Sequence, residues 1–299
     1  MTSLSQHPRQ PIKVTVDERL TQVVEVTHRS PVPWLRLSMA AAAVAAIGNM
    51  VSLSNVDRYY GAEAEVFVNQ AIAQDLVNLV VVAPLTIALA WLAIRGSLTA
   101  FLLWFGFVAF TVYNYVIYCF AIHFGPLFLV WVAVLGASAY ALIGAAFTVD
   151  TNGVANAMQW RSHRFAAGLL VGAAVLFGLL WLSDIAPALQ AGEAPAGVRE
   201  LLLPTNPVHV LDLAFFLPAA AITGVALWQR KSIGYAAAPA VLVLMALTGL
   251  PIITTVFVAA GRGMDAAWPL LAPIGLLTVA CFVLAWATSR EPRALDTVA

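Results

Sequence analysis

The chain is 299 residues long, 62% hydrophobic and 10% charged, with fifteen basic and fifteen acidic residues and no net charge. A soluble domain carries about 25% charged residues, so this composition excludes one large soluble core and points to a protein that lives in a bilayer. Zero net charge leaves no basic surface for nucleic acid. The two cysteines, Cys119 and Cys281, fall in apolar stretches without the CxxC spacing of thiol redox or zinc chemistry.

Residues 1–33 are polar and close on Pro31-Val32-Pro33. Thr15 and Glu18 have capping-box spacing, which predicts a short surface helix over Val16 to Val26, with an unstructured tail as the equal alternative. A polar run of this length ahead of the first apolar stretch suits an uncleaved signal anchor rather than a cleaved leader.

Eight apolar stretches follow, at 34–54, 75–95, 98–121, 126–148, 165–183, 208–229, 233–258 and 267–288. Each is near the roughly 20 residues that a helix needs to cross about 30 Å of hydrocarbon. With no water to satisfy backbone groups, such segments are helices rather than strands. The expected fold class is therefore all-α, a polytopic bundle over 34–289 with polar tails at 1–33 and 290–299. Pro84, Pro218, Pro239, Pro251 and Pro273 interrupt the helices, which neighbouring helices can repair.

Basic residues set the orientation. With the N-terminus inside, Arg9, Lys13, Arg19, Arg29, Arg36, Arg95, Arg161, Arg164, Arg230, Lys231, Arg290 and Arg293 all fall on the inner side. Only Arg58, Arg199 and Arg262 fall outside, a strong positive-inside bias that predicts both termini in the cytoplasm. An Ala-, Val- and Leu-rich composition with few lysines suits a GC-rich bacterial source, hence the bacterial plasma membrane.

The outer loop at 55–74 is acidic (Asp57, Glu63, Glu65), with Tyr59, Tyr60 and Phe67 as expected interfacial anchors. In the second outer loop, 184–207, Val198 to Leu203 is expected along the membrane surface. Gly136 to Ala139, and Gly168, Gly172 and Gly178, suit close contacts between helices.

Two halves of four helices share a pattern. Asp75-Leu76, Pro84, Trp91 and Arg95-Gly96-Ser97 in the second stretch parallel Asp212-Leu213, Pro218, Trp228 and Arg230-Lys231-Ser232 in the sixth. That pattern predicts a parallel 4+4 repeat about an axis along the membrane normal.

Polar side chains in hydrocarbon are costly unless paired, so their placement carries information. They gather in the outer half, whereas Asn49 and Tyr140 read as scattered singles of the inner half. Asp75 and Asn78 lie one turn apart on the second stretch. Asn114 and Tyr118 share a face of the third, with His123 at its outer end, and His209 and Asp212 lie one turn apart on the sixth. Asp75, Asn78, Asn114, Tyr118, His209 and Asp212 are therefore expected to line one pocket open to the outer face, as substrate-binding residues. The His209–Asp212 pair could also hold a divalent metal, orient a base or relay a proton.

Three readings follow: a binding protein or transporter for a small solute or ion, an outer-face enzyme acting on a lipid-linked or amphipathic substrate, and a structural or assembly subunit of a membrane complex. The first is preferred, because kinked helices, a repeat and clustered polar side chains all fit it. No Walker motif, haem-attachment CxxCH or Gly-rich dinucleotide loop occurs.

Overall fold

A computed structural model of the chain describes residues 22–159, 161 and 163–290. Among them, eight helices are long and apolar enough to cross a membrane: Val32–Ser54, Glu65–Ile94, Leu98–Ala121, Phe128–Ala146, Arg164–Ala191, Pro207–Trp228, Ser232–Gly261 and Trp268–Ser289. We number them as the first to eighth spans. The protein is a multi-pass helical bundle, and its described residues contain no strand beyond a single bridge, Thr27 to Val149.

Two spans run past their expected ends. The second begins at Glu65 rather than 75, so half of the expected outer loop is helix, and the fifth runs on to Ala191. Hydropathy marks only the part of a helix that sits in hydrocarbon. Residues 65–74, where Glu65, Asn69, Gln70 and Gln74 break the apolar run, keep the helix going beyond it.

The first four spans close on one another: the first packs on the second and fourth, and the third packs on the same two. In the second four, the sixth packs on the fifth and seventh, and the seventh on the eighth, while the fifth and eighth barely touch. The third span crosses the seventh where the two halves meet. Gly106 allows that crossing, because a Cβ there would collide with the Val243 side chain and the Ala240 carbonyl.

Large apolar side chains fill this seam at the basic ends, with Phe101, Trp104, Leu35, Tyr235 and Leu242 fully buried. Trp104 donates its indole N–H to Ser38 Oγ at 2.9 Å. The chain ahead of the first span docks here too. Val23 and Val26 are buried, and His28 N donates to Thr148 O while Asp150 N donates to Val26 O. Within the expected surface helix, residues Gln22–Glu25 are helical; Thr15, Glu18 and everything up to residue 21, like residues 291–299, lie outside the described residues.

Proline shapes two spans in the same way. A wide turn with an i→i−5 bond occupies Asn78–Val82 in the second span and Asp212–Phe216 in the sixth. Each stops two residues before a proline, Pro84 or Pro218, whose ring cannot supply the next N–H. The turns that leave these spans each pass through a positive φ, at Gly96 (93°) and Arg230 (55°).

Candidate functional site

Two buried carboxylates, Asp75 and Asp212, sit inside spans among the described residues, and each is tied to different neighbours. Asp75, on the second span, is 0% exposed. Its Oδ2 accepts from Ser52 Oγ at 2.5 Å and Tyr60 OH at 2.7 Å, and its Oδ1 accepts from Tyr118 OH at 2.6 Å. All three partners are hydroxyls, and no ion pair joins Asp75 among the described residues.

Local sequence explains how Tyr60 arrives there. Asn55 ends the first span and caps the short helix Val56–Tyr60, its side chain accepting from Arg58 N at 3.1 Å. That fold-back turns Tyr60 inward over Asp75. The following loop is held by Glu63, whose carboxylate accepts from the His123 backbone N at 2.8 Å and sits 3.0 Å from His123 Nδ1. Burial, and then the Asp75 carboxylate beside it, raise the Tyr60 phenol well above its ordinary pKa, so it remains a donor at neutral pH. Tyr118 is fixed from behind by Trp131, whose ring meets it edge-on at 5.5 Å, and by Tyr115 at 5.2 Å.

One helical turn deeper lie three amides. Asn49 precedes Ser52 on the first span, Asn78 follows Asp75 on the second, and Asn114 precedes Tyr118 on the third. All three are buried, and the Nδ2 of each has no hydrogen-bond partner among the described residues. Asn78 is anchored through its other amide atom, with Gln74 Nε2 donating to Oδ1 at 3.1 Å. Tyr115 lies beside Asn49. A carboxylate ringed by hydroxyls thus stands over three amides with donors to spare.

Asp212 belongs to a separate group on the far side of the third span. Tyr113 OH donates to its Oδ1 at 3.0 Å and Trp181 Nε1 to its Oδ2 at 2.8 Å. His209 is buried against Trp181, ring centroids 4.7 Å apart, and its Nε2 is 3.9 Å from Asp184 Oδ2. Asn206 starts this helix by accepting from Val208 N and His209 N. No group of three or more His, Cys, Asp or Glu side chains converges as a metal site among the described residues.

Of the six residues expected in one pocket, Asp75 and Tyr118 are in direct contact, with Asn78 and Asn114 one turn away. His209 and Asp212 sit with Tyr113 and Trp181, and no hydrogen bond among the described residues links them to Asp75. Ser52, Tyr60, Tyr113 and Trp181 complete the two groups. Tyr60 and Phe67, expected as interfacial anchors, are buried at 1% and 6% exposure: the capped fold-back turns Tyr60 inward, and Phe67, on the second span, belongs to the same apolar cluster. Asn49 is no isolated single but a member of the amide layer.

Val198 is likewise buried, within the short helix Ala196–Glu200. Gly168 and Gly172, expected at close helix contacts, have nothing within 4 Å of where a Cβ would stand. No protein-family model, curated protein or solved structure matches the chain.

Proposed function

We propose that the chain binds a small ion or polar solute at the Asp75 layer and transports it, with the outer face as the side of entry. One observation carries this reading: a fully buried carboxylate inside a membrane-spanning helix has hydroxyl donors but, among the described residues, no cationic side chain. A lone charge at that depth costs several kcal/mol unless something offsets it. A proton or a small cation supplies the offset, and the three spare amide N–H groups suit the acceptor atoms of accompanying water or solute.

The tight packing of Tyr60, Tyr115, Tyr118 and Trp131 around this layer favours an ion over a bulky solute. In this reading the outer side is the one opposite the basic loops. Both termini face the cytoplasm, and the membrane is the bacterial plasma membrane. The 4+4 repeat is supported by the matching wide turns and by one shared sequence interval, which separates Pro84 from Pro218 and Gly96 from Arg230.

Reconstituted vesicles test the reading. Wild-type protein should carry protons, sodium or potassium above the leak of protein-free vesicles, and Asp75→Asn should abolish that flux while inserting normally. Equal flux from both proteins would end it. Reporter fusions at residue 155 and at residue 199 test the orientation, which requires the first inside and the second outside.

A structural role is the second reading. The bonds to Asp75 tie together the first span, the Val56–Tyr60 helix and the second and third spans, while those to Asp212 tie the third, fifth and sixth. It predicts that Asp75→Asn loses the fold rather than the flux. Catalysis at His209 and Asp212 has less support, because Trp181 and Tyr113 already hold both oxygens of Asp212.

A further inference from the structure

The fifth and eighth spans stand apart along part of their length and leave a groove of about 350 Å3, within the range of small-molecule sites. Gly168, Gly172, Leu176 and Phe177 form one wall, and Pro273 and Leu277 stand on the other. Every lining residue is apolar. The two glycines make the hollow, since neither has a neighbour where a side chain would stand.

Arg164 lies one turn before Gly168 on the same face, as Gly168 lies one turn before Gly172, so an exposed guanidinium heads the groove. Arg290 ends the eighth span on the same side of the bundle, its guanidinium 5.2 Å from the Trp286 ring, and Phe165 is 89% exposed beside Arg164. An apolar slot in the hydrocarbon region, headed by an exposed cation with an exposed aromatic ring beside it, has the polarity profile of a phospholipid.

We propose that this groove holds an acyl chain of an anionic phospholipid whose phosphate is met by Arg164. A second copy of the chain fits less well. Two copies packed symmetrically through this face would bring Arg164 against Arg164, whereas a phosphate neutralises that end. The assignment does not depend on the Asp75 reading.

The test uses full-length protein purified in mild detergent after exposure to vesicles of equal phosphatidylglycerol and phosphatidylcholine. Bound lipid and oligomeric state are read by native mass spectrometry. Wild type should retain phosphatidylglycerol in preference to phosphatidylcholine. Arg164→Gln should lower that retention about fivefold, the effect of one basic side chain near a phosphate. Gly172→Leu, which fills the slot, should lower retention of both lipids. Asp75→Asn should leave the pattern unchanged.

Equal retention of the two lipids by wild type, or unchanged retention in Arg164→Gln, would overturn the proposal. So would a Gly172→Leu protein that keeps its lipid but loses a dimer, because the groove would then be a contact between copies. Arg164→Gln alters only an exposed side chain, so it decides the matter if the leucine variant does not fold.

Discussion

Tyr113 and Tyr118, five positions apart on the third span, donate to two different carboxylates, Asp212 at 3.0 Å and Asp75 at 2.6 Å. Five residues turn a helix by roughly 140°, so one helix presents a hydroxyl to each half of the bundle. The third span is thus the shared wall of both polar groups, and several of the tests below bear on it.

Removing the Asp75 carboxylate should separate function from folding. Asp75→Asn keeps the shape and can still accept from some hydroxyls, so the protein should insert and stay monodisperse while its ion flux disappears. Asp75→Leu strands three buried donors and should destabilise the protein by about 2–4 kcal/mol. Thermal unfolding in detergent, followed by tryptophan fluorescence, checks the difference between the two variants.

Tyr118→Phe and Tyr60→Phe each delete one hydrogen bond to a charged acceptor, worth about 1.5–3 kcal/mol. Combined with Asp75→Asn, each loss should shrink, because the acceptor has changed in both arms of the cycle. Additive losses would show that the hydroxyls act elsewhere.

Alkaline stability should carry the mark of Tyr60. Its phenol is held protonated in the folded protein, while an unfolded chain ionises it near pH 10. Its contribution is therefore complete below about pH 10 and falls away above it, since the unfolded state then gains by losing the proton. Tyr60→Phe should flatten the decline of unfolding temperature between roughly pH 10 and 11; an unchanged decline would remove Tyr60 as its source.

The Glu63–His123 contact should control access to the Asp75 layer. In a background of Cys119→Ser and Cys281→Ala, a probe cysteine placed by Ser52→Cys should react slowly with a membrane-impermeant thiol reagent. Adding Glu63→Ala should speed labelling several-fold, because the fold-back then loses its tie to the end of the third span. Equal rates would mean that the loop does not shield the layer.

Gly106→Ala should cost about 1–3 kcal/mol, the usual penalty of an added methyl in a filled seam. Gly136→Ala should be close to neutral, since nothing lies within 4 Å of its Cβ position. Unfolding temperatures of the two variants, compared side by side, test whether the third and seventh spans meet as closely as described.

The number of spans and the location of Asp75, Asn78, Asn114 and Tyr118 were legible in the sequence, because charge and hydropathy act locally along the chain. The ends of the second and fifth spans were not, since a helix outside hydrocarbon carries no apolar signal. Tyr60 was misplaced for a related reason. Its burial depends on Asn55 capping a five-residue helix and on Glu63 reaching His123, sixty positions away. Trp181 and Ser52 look like ordinary helix residues until the carboxylates they serve are set beside them. The two-group arrangement depends on the rotation of the third span, which periodicity gives only relative to a partner not yet placed.

The wide turns beside the two carboxylates have a mechanical consequence. An i→i−5 bond next to a proline is a weak point, and the second and sixth spans each carry one just inside their polar ends. Flexing there would swing the segment bearing Asp75, and the turn that begins at Asp212, outward while the seam around Trp104 and Phe101 stays shut. The two joints stand at matching places in the two halves, so each half can hinge at the level of its polar group while the packed seam holds.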